Sequence, residues 1–413
     1  MPRIKLEHIP LYLLACFPLL GMKFTVWAII LFVLTALIRG HYSKGNKMEM
    51  VALALTSGLF LFIVARSLIP TSNPESLSYI EVSISLLVLP VAFHLQSKQL
   101  NQHVIENSWW IFIAATLICF AYGMAYSLYQ VSQMVIASQG ALSYHIRTLF
   151  ENAVDYHPTH ASIVLGIALL KLLDMIFNSE KPKWLLIAFF VIAIVIQALL
   201  ASRTPIACTL VCLLSLTYLK TASFKKTVML FAILAGGAIV SFLSIPSFSA
   251  RFKEVSVENT KMPDKKSEDS FNLRTGIFKC GTGIVKDHWL WGVGPGHVKS
   301  ELNKCYDSVA REVYRDKNFN THNQFIDYWA GLGVLGPMML IGLFVTGVLL
   351  LWQRGDWLGI CVLILFLGAM QTENVLTRQN GIVTFCYFIG LHIFATRFIK
   401  PSKPEATAST TSN

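Results

Sequence analysis

Apolar stretches about as long as a bilayer crossing recur along almost the whole chain. They fall near residues 9–20, 22–38, 49–69, 78–94 and 109–130, then near 160–177, 184–202, 204–219, 226–244, 326–352, 357–371 and 381–397. A spanning helix needs about 20 apolar residues, with roughly 17–25 tolerated. Lipid offers no partner to a backbone N–H or C=O, so each stretch must close its own hydrogen bonds as a helix. The expectation is an all-α polytopic membrane protein with about twelve transmembrane helices. Only 14% of the 413 residues are charged, too few to coat a water-facing globule. Gly21, Met22 and Lys23 alone separate the first two stretches, with no small-residue cleavage site, so no signal peptide is expected.

The 34 Lys and Arg exceed the 23 Asp and Glu, for a formal net charge of +11. In a membrane protein this excess marks cytoplasmic loops and contact with the lipid bilayer, not nucleic acid. With the N-terminus inside, inner segments hold Arg3, Lys5, Arg39, Lys44, Lys47, Lys98, Lys181, Lys183, Lys220, Lys225, Lys226, Arg354, Arg397, Lys400 and Lys403. The short outer loops hold only Lys23, Arg147, Arg203 and Arg378. That asymmetry places both termini in the cytoplasm and favours an even number of spans.

The chain divides into transmembrane helices 1–9 over 1–244, one large outer loop over 245–325, helices 10–12 over 326–397, and a polar, disordered cytoplasmic tail over 398–413. The loop carries 13 basic and 10 acidic side chains. Its part around 254–270 reads as a flexible excursion, and helix-like spacing begins at Phe271. Cys280 and Cys305 share this loop, where an oxidising environment would permit a disulfide. The pair Trp109-Trp110 reads as an aromatic anchor at the inner interface.

Three residues stand at the outer boundary. Arg203, in Ala-Ser-Arg-Thr-Pro, sits in a hairpin between two spans with almost no loop. There an ionisable residue either serves a site or snorkels to headgroups. Arg274 opens an amphipathic helix, and alone it is one basic residue among many in the loop. His322, in Asn-Thr-His-Asn-Gln-Phe, precedes the tenth span, wet enough to titrate. An imidazole with an ordinary pKa of about 6.5 suits a general base near neutral pH. Nine residues beyond His322-Asn323 come Gly333-Val334-Leu335-Gly336, small residues that permit close helix packing. Upstream, Gly292-Val293-Gly294-Pro295-Gly296 forms a Gly-rich turn without the Lys-Ser/Thr of a nucleotide P-loop. Asp155-Tyr156-His157-Pro158-Thr159-His160 has no standard metal-ligand spacing, and His157 or His160 better suits hydrogen bonding to a sugar or phosphate.

Taken together, Arg203, Arg274, the Gly-Val-Gly-Pro-Gly turn and His322-Asn323 with Gly333 and Gly336 resemble the O-antigen ligase and O-antigen polymerase superfamily of bacterial envelope glycosyltransferases. The resemblance, closer to the ligases, implies a GT-C-like membrane enzyme in the bacterial inner membrane with its active site on the periplasmic face, using neither metal nor other cofactor. The donor would be a glycan on undecaprenyl diphosphate and the acceptor lipid A–core. His322 would be the base of an inverting displacement, and Arg203 and Arg274 would hold the diphosphate, since Arg forks match phosphate oxygens. Asn323, His157, His160, Arg66, Glu373 and Arg378 are further candidates for the donor or acceptor pocket. A polymerase, or an enzyme that transfers the glycan to protein Ser or Thr, remains open. A lipid-linked solute transporter is the reading from another class, but its buried mid-membrane charges are lacking: Lys171 and Asp174 lie near the inner end. Oligomeric state is left open.

Overall fold

The computed structural model describes residues 5–41, 45–69, 74–134, 139–178, 183–244, 270–314 and 319–395. The excursion around 254–270 and the tail over 398–413 thus lie outside the described residues, apart from Ser270. The described residues form helices joined by short turns, with no strand among them. In chain order the helices are α1 (Ile9–Ala15), α2 (Phe17–Arg39), α3 (Lys47–Leu68), α4 (Pro74–Ser83), α5 (Ser85–Gln96), α6 (Gln102–Ser132), α7 (Gln139–Val154), α8 (Pro158–Asn178) and α9 (Trp184–Leu200). Then follow α10 (Arg203–Thr221), α11 (Phe224–Ser244), α12 (Ser270–Asp287), α13 (Val298–Tyr314), α14 (Gln324–Leu332), α15 (Leu335–Arg354), α16 (Trp357–Ala369) and α17 (Gln379–Ile389). A π-turn over Gly390–Phe394 extends α17.

This is a multi-pass membrane protein. Among the described residues, seven helices are long and apolar enough to cross a bilayer: Phe17–Arg39, Lys47–Leu68, Glu75–Gln96, Gln102–Ser132, Pro158–Asn178, Arg203–Thr221 and Leu335–Arg354. Three more apolar helices, Trp184–Leu200, Trp357–Ala369 and Gln379–Phe394, are shorter. The count of twelve thus remains the reading of hydropathy. The first two apolar stretches meet at Gly21, where φ is +64° and the helical path breaks. The tenth stretch is not one helix. Gly333, at φ +73°, ends α14, and the apolar span proper begins at Leu335.

Side-chain pairs sort the helix ends into two faces. One face carries Arg39 with Glu7 (2.9 Å), Arg354 with Glu49, Lys220 with Asp174 (2.6 Å) and His392 with Asp356 (2.8 Å). Lys171 joins Asp174 there at 3.3 Å. The Arg354–Glu49 and Lys171–Asp174 pairs neutralise charge that burial would otherwise make costly, whereas Arg39 is largely exposed. At this end Trp109 is buried against Phe112 and Phe388, so the anchor reading fails for it, while Trp110 is half exposed. The opposite face carries Arg203, His322, Glu373 and Arg378.

Helix α8 is the axis of the bundle, buried along nearly its whole length. α10 comes close because α8 presents a small residue to it: a Cβ on Gly166 would lie 2.5 Å from Thr209 Oγ1. Gln197 Nε2 donates to Ser162 O at 3.0 Å and Thr209 Oγ1 at 3.1 Å, so this polar group in the apolar core is satisfied.

Helices α12 and α13 form a hairpin on the site face, with a small core of Ile277, Ile284, Leu302, Tyr306 and Tyr314. Cys280 and Cys305 form a disulfide across it, closing a separation of 25 residues. Chain-entropy arguments give such a loop about 3–4 kcal/mol of stabilisation. The Gly-rich turn then docks on α14: Val293 N–H donates to Ala330 O at 2.7 Å and Gly294 N–H to Gly331 O at 3.0 Å. The backbones approach so closely that a Cβ on Gly333 would lie 2.1 Å from Leu290 O. Gly333→Ala is therefore expected to destabilise the protein by about 2–4 kcal/mol, through both clash and positive φ. A melting temperature equal to wild type would refute this account of the motif's glycine.

Candidate active site

His322, Asn323 and Glu373 come from two segments that the backbone stitches together. Asn323 caps α14, its Oδ1 accepting from Phe325 N at 2.9 Å and Ile326 N at 3.1 Å. Its Nδ2 donates to Gln371 O at 3.1 Å, while Gln324 N donates to Met370 O at 2.9 Å. Gln324 Oε1 in turn accepts from Leu376 N at 2.7 Å. Below this seam Thr321 Oγ1 lies 3.3 Å from Asp327 Oδ1 and 3.1 Å from Asn374 Oδ1, and Tyr79 Oη donates to Asp327 Oδ2. His322 therefore sits on a pinned turn, with φ at +47° and its own N–H donating to Asn320 Oδ1 at 3.0 Å. A non-glycine residue held in that region persists only where its surroundings enforce it.

Glu373 is the carboxylate beneath this turn, only 2% exposed. Its Oε2 lies 3.5 Å from His322 Nδ1 and its Oε1 3.4 Å from Arg274 Nη2. Both are electrostatic contacts longer than a well-formed hydrogen bond. Burial alone would raise the Glu373 carboxyl, but His322, His157 and Arg274 outweigh it and hold it well below the usual carboxylate range. The carboxylate thus stays ionised and turns Nδ1 of His322 inward.

Arg203, the first residue of α10, follows a left-handed Ala201 (φ +48°) that reverses the chain out of α9. Arg147 of α7 holds this turn, donating to Leu200 O at 2.6 Å and to Ser202 Oγ at 3.3 Å. Arg203, Arg274, His322 and Asn323 line one open pocket of about 470 Å³. Thr204, Thr275, Phe278, Thr321, Gln371 and Thr372 complete its wall. Its charged lining is cationic, and the carboxylate of Glu373 lies behind His322.

The remaining candidates separate from this group. His157, His160 and Arg378 line a second, smaller pocket of about 220 Å³ with Met22, Glu151, Asp155, Gln379 and Asn380. Arg66 lines neither pocket. It donates through Nη2 to Gly292 O at 3.3 Å and so braces the Gly-rich turn. Burial pushes the His157 imidazole down to about 3, leaving it neutral at ordinary pH. Burial also raises the Glu151 carboxyl, opposed by Arg378 and Arg147. Among the described residues no three His, Cys, Asp or Glu side chains converge as a metal-ligand set.

The His157 shift has a stability consequence. The unfolded imidazole binds a proton below about pH 6.5 and the folded one only near 3, so stability falls as pH drops through that window. Between pH 7.5 and pH 5 this one group is expected to cost about 2 kcal/mol, a loss that His157→Asn should lack. Melting temperatures of both proteins at the two pH values measure it. Equal acid sensitivity in the variant would contradict it.

Residues 188–341 match the O-antigen ligase family. None of the curated proteins matches the chain. The match takes in Arg203, Arg274, the Gly-rich turn, His322, Gly333 and Gly336, and supports the resemblance drawn from those residues. Glu373, His157, His160 and Arg378 lie outside the matched segment; the fold brings Glu373 to His322 and the other three to the smaller pocket.

Proposed function

We propose that this protein moves a glycan from undecaprenyl diphosphate to lipid A–core, with inversion, in the larger pocket. The observation that carries the reading is the convergence of Arg203, Arg274 and His322 on one cavity, with Glu373 behind the histidine. The acceptor hydroxyl attacks the anomeric carbon while His322 Nε2 takes its proton. As the new C–O bond forms, the bond from that carbon to the diphosphate oxygen breaks, and the negative charge passes to the leaving group. Arg203 and Arg274 stabilise that charge, the kind of preorganised electrostatic contact that carries most of many enzymes' rate enhancement. Glu373 holds the imidazole in the tautomer that leaves Nε2 free and then stabilises the imidazolium.

The pocket belongs, in this reading, on the periplasmic face of the bacterial inner membrane, with the basic termini in the cytoplasm. The Cys280–Cys305 bridge lies in the hairpin that also supplies Arg274, and disulfides persist in oxidising compartments. No step requires a metal or nucleotide sugar.

The deciding experiment follows label from a purified undecaprenyl-diphosphate glycan, with lipid A–core present and no metal or nucleotide added. Label on lipid A–core, lost in His322→Ala, is the expected result. Label lengthening the carrier-linked glycan would make the protein a polymerase. Donor that crosses the bilayer without transfer would overturn the enzyme reading.

A further inference from the structure

The smaller pocket has a composition unlike that of the larger one. Its charges are Arg378 against Glu151 and Asp155, so an anionic group meets two carboxylates for one cation. Its polar lining is also unsatisfied. His160 is 2% exposed, and both its ring nitrogens lack a hydrogen-bond partner. Asn380 donates Nδ2 to Asp155 O at 2.8 Å, but its buried Oδ1 has no partner. Buried polar atoms without partners are uncommon in folded proteins, and each calls for a water, an ion or a ligand. Here two residues of one cavity's lining, His160 and Asn380, carry three of them beside two carboxylates and a guanidinium.

The size and chemistry of the space narrow the ligand. At about 220 Å³ the cavity is below the roughly 300–1,000 Å³ of sites for larger ligands. It offers acceptors at Glu151, Asp155 and Asn380 Oδ1, a donor fork at Arg378, and imidazoles that each present one donor and one acceptor when neutral. Met22, at the tip of the first hairpin, gives it one apolar wall. Mixed donors and acceptors around an apolar wall suit the hydroxyls and C–H face of a sugar ring. We propose that this pocket is a sugar subsite, which takes one uncharged monosaccharide ring of a glycan substrate beside the diphosphate-binding pocket. The proposal rests on the glycan-transfer reading for its biological ligand. Glu373, which acts electrostatically on His157, His160 and Glu151 as well as on His322, stands between the two pockets.

Binding can be read without turnover. Full-length protein is mixed with methyl glycosides of glucose, galactose and N-acetylglucosamine, and saturation-transfer NMR reports which ones contact it. At least one glycoside should give a signal that inorganic pyrophosphate leaves intact, and that falls at least several-fold in Glu151→Gln and in Asn380→Ala. No signal from any glycoside with wild type would overturn the proposal. So would displacement by pyrophosphate, or undiminished signals in two variants that melt like wild type.

Steady-state kinetics then assigns the source of the ring. Glu151→Gln should raise KM roughly ten- to hundred-fold for the substrate whose sugar it holds, with kcat within about twofold. A rise for lipid A–core alone places an acceptor sugar there, and a rise for the lipid-linked donor alone places a donor sugar. Unchanged KM for both overturns the subsite. Glycoside binding without any transfer would leave the subsite standing and remove the transferase reading, whereas transfer without glycoside binding would do the reverse.

Discussion

His322→Ala is expected to lower kcat for glycan transfer by about 10²–10⁴-fold while leaving KM for the donor within a few-fold of wild type. The reason is the division of labour in the larger pocket. The diphosphate is held by guanidinium groups, so the donor still binds. The acceptor hydroxyl, however, loses the group that takes its proton as the bond forms. Glu373→Gln should act more weakly, since it removes the carboxylate 3.5 Å from Nδ1 and leaves the imidazole in place. Its effect belongs in kcat, with KM for the donor little changed. A merely structural role for Glu373 would lower stability and leave kcat of the folded protein near wild type. Single-turnover rates with labelled donor separate the chemical step from product release, and a loss under tenfold in His322→Ala would remove it as the base.

The second large effect is expected at the two arginines. Arg203→Ala and Arg274→Ala should each cost about 10²–10³-fold in kcat/KM, the scale seen when one preorganised donor to a developing anion is removed. Lysine should restore only part of the loss, because a point charge cannot reproduce the bidentate fork on a diphosphate. Arg203 heads α10 at the pocket wall. Arg274 sits 3.4 Å from the buried Glu373, so its removal strips a cation from an ionised carboxylate. Arg274→Ala should therefore melt below wild type as well as lose activity. Inhibition by inorganic pyrophosphate, weakened in each variant, would tie the loss to the diphosphate. Full activity in either variant would remove that arginine from the site.

Much of this was legible in the chain itself, for reasons that are local. Hydropathy and the helical repeat depend on neighbours within a few turns, so the apolar stretches fall on helices, and even the break at Gly21 sits where the first two stretches meet. Arg203 and His322 stood out by their short segments at one membrane boundary, whereas Arg274, one of 13 basic residues in its loop, stood out only through the resemblance of the combination to a known family. Where locality failed, so did the reading. The tenth stretch looks continuous in hydropathy, yet Gly333 must turn there because its backbone meets the backbone of Leu290. Trp109 resembled an interfacial anchor by composition, but α17 covers it.

The sequence by itself determined that this chain lives in a membrane and which ends of its spans are basic, and its resemblance to a known family pointed to Arg203, Arg274 and His322. Only the tertiary structure decided how the nine candidate residues divide. Arg274 and Glu373 pair across 99 residues of chain, a distance at which no periodicity or motif carries information. The same long-range packing separates His157, His160 and Arg378 into their own pocket and turns Arg66 toward the Gly-rich turn. It also brings Cys280 and Cys305 within bonding reach. Hydropathy is a property of a segment, whereas burial and charge pairing belong to a contact, and contacts exist only once the helices have packed.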